Sequence, residues 1–207
     1  MVYELSIVAH ASLTEEKASS IKEMVAQVVG QAGGEILITD DWGKMNMAQM
    51  STDGKIQGHY LYFMFKSNGD SNSELIRRFR INEHVLRHMI IKLADDSEAE
   101  KMKKKYKTPF SKLHGGSLVD DLDDDDEEKG DKRKFARSRN CWFASNGITA
   151  DWKDPKTYAW LVNEFGKITP ARITGLSQKH QRHSTSAIKR ARNMGLISHL
   201  SNQVAYK

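Results

Sequence analysis

One cysteine, Cys141, stands in 207 residues. That excludes an internal disulfide and any Cys-x-x-Cys metal site, and it points to a reducing compartment. Long apolar runs are missing too: the longest, Tyr60 to Phe65, is the length of a strand and too short to span a bilayer. Met1 to Ala11 has neither a basic leader nor a cleavage site, so a cytoplasmic, unprocessed protein is expected. The chain offers no nucleophile paired with a base, no glycine-rich phosphate loop and no metalloprotease string. Catalysis therefore has no foothold, and no cofactor is expected. Asp and Glu are absent altogether from Lys167 to Lys207.

What is present is unevenly spread. Hydrophobic content of 39% suits modest cores, and the formal net charge is +5. Residues 1–94 carry 10 Lys and Arg against 11 Asp and Glu, residues 95–131 carry 7 against 13, and residues 132–207 carry 15 against 3. Balances of −1, −6 and +12 direct the last part of the chain toward a polyanionic partner.

The pattern of residues follows the same three divisions. In residues 1–94, Tyr3 to His10, Glu35 to Trp42, His59 to Lys66 and Val85 to Leu93 read as strands. A helix starts at a capping box from Ser12 or at Thr14, carries Ile21, Val25, Val28 and Ala32 on one face, and ends at Gly33-Gly34; a second covers Ser73 to Phe79. The order βαββαβ predicts a ferredoxin-like α+β domain, an antiparallel sheet with two helices on one face. Residues 95–131 include six aspartates and two glutamates between Asp120 and Glu128. Such a run repels itself and buries nothing, so a disordered linker is expected, with a reach of roughly 30–35 Å. Residues 132–207 predict a small, mostly α-helical domain. One helix begins at Asp154-Pro155 with Tyr158, Leu161, Val162 and Phe165 on one face; another runs from about Leu176 to Met194 and stops at Gly195.

In that last helix Ala187, Ile188, Ala191 and Met194 share one arc, while Lys179, Arg182, Lys189, Arg190 and Arg192 fall opposite. With no acid available for intrahelical pairs, the cations are read as phosphate contacts. Arg172, on the turn after Pro170, and the upstream Lys132, Arg133, Lys134, Arg137 and Arg139 extend the patch. His180 and His183 have a spacing that suits a metal, but no third ligand type stands nearby and no metal site is assigned. Cys141 is read as a small apolar contact. Aromatics from Tyr60 to Phe65 on the third strand match an RNA-recognition motif only in part, so one face is assigned to the core and the other to a protein partner, with base stacking as the alternative.

Residues 1–94 resemble bacterial small-subunit ribosomal protein six through Tyr3-Glu4, the stretch from Asp40 to Ala48, Gly58-x-Tyr60 and the stretch from Glu74 to Lys92. Residues 133–200 resemble ribosomal protein eighteen of the same subunit, through FARSRNCWF, DPKTYAWLVNEFGKITPARITGLSQKHQR and AIKRARNMGLI. The resemblance implies a natural fusion of two proteins that pair and bind the central domain of small-subunit ribosomal RNA on the platform, a ribosome-bound structural role with no reaction. It implies RNA contacts at Lys167, Arg172, Lys179, His180, Arg182, Lys189, Arg190 and Arg192, and at Arg80, Arg87 and His88. Ser184-Thr185-Ser186 and Ile197-Ser198 depart from the family pattern. The readings that compete with this one are an RNA-binding regulator of messenger leaders and a helix-turn-helix DNA-binding protein.

The acidic run lies beside Lys132-Arg133-Lys134 and is placed to shield it from stray RNA. Replacing Asp120 to Glu128 by Gly and Ser should therefore strengthen nonspecific RNA binding in a filter-binding titration. Unchanged affinity would remove the shielding idea.

Overall fold

The computed structural model describes residues 1–51, 54–106, 108–109, 141–201 and 203–204. They belong to two compact units, one made of Met1–Asn46 and Met50–Thr108, the other of Met47–Gln49 and Pro109–Lys207. The acidic run from Asp120 to Glu128, and Lys132, Arg133, Lys134, Arg137 and Arg139, lie outside the described residues.

The first unit runs β1 (Val2–His10), α1 (Glu15–Gln31), β2 (Glu35–Asn46), β3 (Gln57–Lys66), α2 (Asp70–Ile81) and β4 (Val85–Ala94). The strands form one sheet in the order β2-β3-β1-β4, antiparallel at every neighbouring pair. This is the ferredoxin-like architecture expected from the periodicities. Thr14, rather than Ser12, occupies the position before α1. Because side chains alternate across a strand, Leu5, Ile7 and Ala9 of β1 and Leu61, Phe63 and Phe65 of β3 all face the helices. There they bury against Ile21, Val25 and Val28 of α1 and Leu75 and Phe79 of α2.

The alternate residues of β3 point to the other side, and Tyr60 and Tyr62 are fully buried. Trp42 of β2 stacks on both rings, with centroids 6.3 Å from Tyr60 and 5.5 Å from Tyr62. Tyr106 closes the row, 4.7 Å from Tyr62 with the planes 13° apart. Its hydroxyl donates to Asp40 Oδ2 (2.7 Å) and accepts from Trp42 Nε1 (3.2 Å), while the Tyr62 hydroxyl donates to the buried Glu4 carboxylate (3.2 Å). Burial, first of all, together with the bond to Asp40 raises the Tyr106 phenol above its ordinary range. These rings are spent on one another, which removes them as base-stacking platforms.

Tyr106 also bears on where the first unit ends. Residues 95–106, assigned by composition to a linker, carry a 3-10 turn at Asp96–Glu98 and a helix, α3, at Ala99–Lys105. Asp96 pairs with the N-terminal ammonium at one end of this extension, and Tyr106 docks on the sheet at the other. Neither anchor has a local signature, because each partner is more than sixty residues away.

In the second unit, α4 (Trp142–Ser145), 3-10 turns at Pro155–Thr157 and Ala159–Leu161, α5 (Ala171–Thr174) and α6 (Gln178–Asn193) surround a core. That core contains Phe143, Trp152, Tyr158, Leu161, Ile188, Ala191, Met194, Leu196 and Ile197. The helix expected from Pro155 to Phe165 is broken. Asp154 does cap its start, accepting from Lys156 N (3.1 Å), but Tyr158 leaves helical geometry at φ −140°. Its ring is buried and its hydroxyl donates to Trp152 O (2.8 Å), a tertiary bond that outweighs local helix preference. Val162 then bridges to Ile168, and Phe165, assigned to the core face, is 74% exposed.

Removing the Tyr106 hydroxyl with Tyr106→Phe should cost about 1 kcal/mol, and Tyr106→Ala about 2–3 kcal/mol because the stacked ring goes as well. Both should appear as lower urea midpoints by circular dichroism. Equal midpoints for Tyr106→Ala and the wild-type chain would show that the extension is not anchored.

Candidate nucleic-acid interface

Helix α6 organises the basic surface. Ser177 precedes it and its side chain accepts from His180 N, which fixes the first turn; Gly195, at φ +74°, follows its end. Ser184, Ala187, Ile188 and Ala191 are buried. At 100° per residue these four span about 100° of the helix, and Lys179, Arg182, Lys189 and Arg190, all exposed, occupy about 100° on the opposite side. No Asp or Glu follows Glu164, so nothing in the helix or in the rest of the chain beyond it screens these cations. Lys167 and Arg172 are also exposed, the latter on α5, which begins after Pro170 and ends at Gly175 with φ +72°.

Two residues placed in this set by spacing have other engagements. Arg192 lies on the flank of α6, half-buried, with Nη2 donating to Gly166 O. Desolvation lowers its pKa, as burial does for any cation. His180 has its Nδ1 within 3.0 Å of Ser177 Oγ and 3.1 Å of Cys141 Sγ, and its ring stacks on Phe143 at 5.6 Å. Cys141 is buried there, and although burial pushes its thiol up, hydrogen bonds from the Ser177, Ala144 and Phe143 backbone bring it below its ordinary value. His183, by contrast, is exposed. Among the described residues no group of three or more His, Cys, Asp or Glu could hold a metal ion.

The first unit does not gather its three candidates into one patch. His88 packs on Phe79 at 5.4 Å on the helix side, where burial first and the Arg80 charge second depress its pKa. Arg87, one residue before it on β4, points to the opposite face, toward Tyr60. Arg80 is exposed on α2. Sequence reading also missed a shallow cavity of about 230 Å³ lined by His10, Ser12, Leu13, Lys17, Lys55 and His84. Its two lysines come from α1 and from the connection between β2 and β3, which meet only in the fold, so no spacing announces it.

The segment from Gly166 to Pro170 is held tightly. Lys167 N donates to Asn163 Oδ1 (2.7 Å), Asn163 N to Lys167 O (2.9 Å) and Thr169 N to Leu161 O (2.8 Å). Gly166 sits at φ +73°, and a Cβ there would meet His199 O at 2.5 Å and Leu200 C at 2.9 Å. Glycine is required for both reasons.

A helix with an exposed face of one charge is a surface that a polyanion would neutralise. Comparisons with known proteins point to the ribosome. The family described as Ribosomal protein S6 matches residues 2–92, and that described as Ribosomal protein S18 matches residues 146–197. Small ribosomal subunit protein bS18 of Citrifermentans bemidjiense is 52% identical over 67 residues, covering 32% of this chain and 73% of that protein. The bS18 protein of Geotalea daltonii is 51% identical over 67 residues, covering 32% and 74%. A crystal structure of 30S ribosomal protein S6 from Thermotoga maritima shares 19% identity, spans 50% of this chain and 97% of its own, and superposes with a TM-score of 0.44. The chain belongs to the bS18 family of small ribosomal subunit proteins and carries a Ribosomal protein S6 segment fused ahead of it. Both are families of structural proteins of the ribosome. Among the described residues no helix is long and apolar enough to cross a membrane.

Gly166→Ala should destabilise the second unit by about 2 kcal/mol or more, because positive φ and the backbone clash act together. Thermal melting followed by circular dichroism measures this, and an unchanged midpoint would show that the turn can relax.

Proposed function

We propose that this small-subunit ribosomal protein binds the central domain of small-subunit ribosomal RNA on the platform of the particle, with its two parts acting as a fused pair. The observation that carries this reading is the arc of Lys179, Arg182, Lys189 and Arg190 on α6, exposed opposite a buried apolar arc and lacking acids. A phosphate backbone neutralises such a face and releases counterions as it does so. Lys167 and Arg172 extend the contact. His180 presents only the part of its ring not held by Ser177 and Cys141, and Arg192 adds charge from the flank. Arg80, Arg87 and His88 are proposed as separate, smaller contacts, and Lys132, Arg133, Lys134, Arg137 and Arg139 as an approach to the main one.

Residues 1–94 form the ribosomal protein six-like domain in this reading, with residues 95–106 docked on it, the remainder of 95–131 the linker, and residues 132–207 the RNA-binding domain. Joining the two parts in one chain sets an effective concentration on the order of millimolar, favouring pairing within that chain. The protein then works in the cytoplasm, bound to the ribosome beside neighbouring small-subunit proteins, without cofactor, metal or membrane. A major-groove DNA reader would place the N-terminal residues of its helix against base edges. Here the exposed cations run along the length of α6, from Lys179 to Arg190, instead of gathering at its N-terminal end, which favours recognition of a phosphate backbone.

Sedimentation through a sucrose gradient should recover the intact 23.5 kDa chain with small ribosomal subunits. Recovery only in the soluble fraction would overturn the reading. Arg190→Glu should weaken binding to a central-domain transcript about tenfold or more, whereas Lys156→Glu, outside the arc, should change it about twofold at most. Equal losses would argue against a localised face.

A further inference from the structure

The cations of α6 divide into two groups with different work. We propose that Arg192, together with the uncharged Gln181, is a positioning residue: the pair clamps residues 166–169 along one flank of α6 and so presents Lys167 and Arg172 to RNA. This inference rests on the RNA reading above and adds the reason that the turn is aimed correctly.

Eleven residues separate Gln181 from Arg192, three helical turns plus about 20°, so the two side chains leave α6 on nearly the same flank. Both donate to the same short stretch of backbone. Gln181 Nε2 reaches Thr169 O at 3.1 Å, and Arg192 Nη2 reaches Gly166 O. Between those carbonyls lie Lys167 and Ile168, and directly after them Pro170 opens α5, which carries Arg172.

The turn also meets backbone at Gly166, where there is no room even for a Cβ, because His199 O and Leu200 C stand in the way. Residues 199–201 thus limit the turn at Gly166, and the two donors on α6 hold its carbonyls. Loss of either donor frees one end, and each cation the turn carries must then be ordered when RNA binds, which costs affinity. Arg192 also differs in environment from Lys179, Arg182, Lys189 and Arg190. Those four are exposed, while Arg192 is half-buried against a carbonyl. A guanidinium committed in this way offers less of its donor fork to a phosphate, and lysine would not reproduce its reach or geometry.

Three accounts of Arg192 make separable predictions. As a direct phosphate contact, its loss adds to the loss of Lys167 and Arg172. As a source of positive potential, it is replaceable by lysine. As a positioning residue, Arg192→Lys weakens binding although the charge stays, Gln181→Ala does the same although no charge was present, and both effects vanish once the positioned cations are gone.

The test uses the full chain and a central-domain transcript of small-subunit ribosomal RNA, with affinities from filter binding. Gln181→Ala and Arg192→Lys should each weaken binding about five- to tenfold in the wild-type background. In a Lys167→Ala/Arg172→Ala background each should cost about twofold or less, and in a Lys189→Ala background the full factor should return. A general folding defect lowers affinity equally in every background, so additivity throughout overturns the positioning role. Hydrogen exchange in the RNA-free chain provides the second measurement: both variants should speed exchange at Lys167 and Thr169 while the middle of α6 stays protected. Unchanged exchange overturns the clamp. If the wild-type chain fails to bind the transcript, the RNA reading falls and the positioning role with it, while exchange still reports whether the clamp exists.

Discussion

Four cations on one arc of α6 have no Asp or Glu on their own helix or in the chain after Glu164, and most of the second unit's design follows from that. Positive charges held close together on a rigid helix raise the energy of the isolated chain unless solvent or a polyanion screens them. The helix tolerates the arrangement because its other face is anchored by Ala187, Ile188 and Ala191, all essentially inaccessible to solvent. Small residues at two of those three positions let α6 sit close against the core, so the cations are presented on a stiff support. Stiffness matters for the proposed function, since phosphate contacts made by a preorganised face would avoid the ordering cost that a flexible basic tail incurs.

Around that helix the unit uses its polar groups mainly to fix backbone. Ser177 caps α6, Asn163 closes the turn before Lys167, and Gln181 and Arg192 hold the stretch from Gly166 to Thr169. None of these side chains needs to touch RNA to serve the proposed contact. The first unit shows the same economy with aromatic rings. Trp42, Tyr60, Tyr62 and Tyr106 form a stacked row in which the Trp42 indole and the Tyr62 and Tyr106 hydroxyls are hydrogen-bonded, and this ties residues 95–106 to the sheet. The basic candidates of that unit are scattered by strand alternation, with Arg87 and His88 on opposite faces. The dense, same-sided cationic surface thus belongs to the second unit.

Much of this was legible in the residues. Strand alternation and helical periodicity placed the four strands, the two helices of the first unit and α6 to within a few residues, because burial on one face writes a period of 2 or 3.6 into the chain. The same periodicity separated Lys179, Arg182, Lys189 and Arg190 from the apolar arc. It failed from Pro155 to Phe165, where a good cap and a plausible face predicted a helix. The buried Tyr158 hydroxyl bond to Trp152 and the Val162 bridge to Ile168 broke that stretch into 3-10 turns. Spacing also grouped Arg192 with the exposed cations, since a helical wheel records angle but not what stands beside each angle.

Sequence by itself determined the two kinds of domain, the uneven charge and the family resemblance, all of which depend on residues close together in the chain or on composition. Tertiary structure alone decided which rings and cations remain free to act. Tyr106 meets Asp40 across 66 positions, and Arg192 meets Gly166 across 26. Contacts of that kind depend on which surfaces the whole chain brings together when it buries its apolar groups, and no local pattern encodes them.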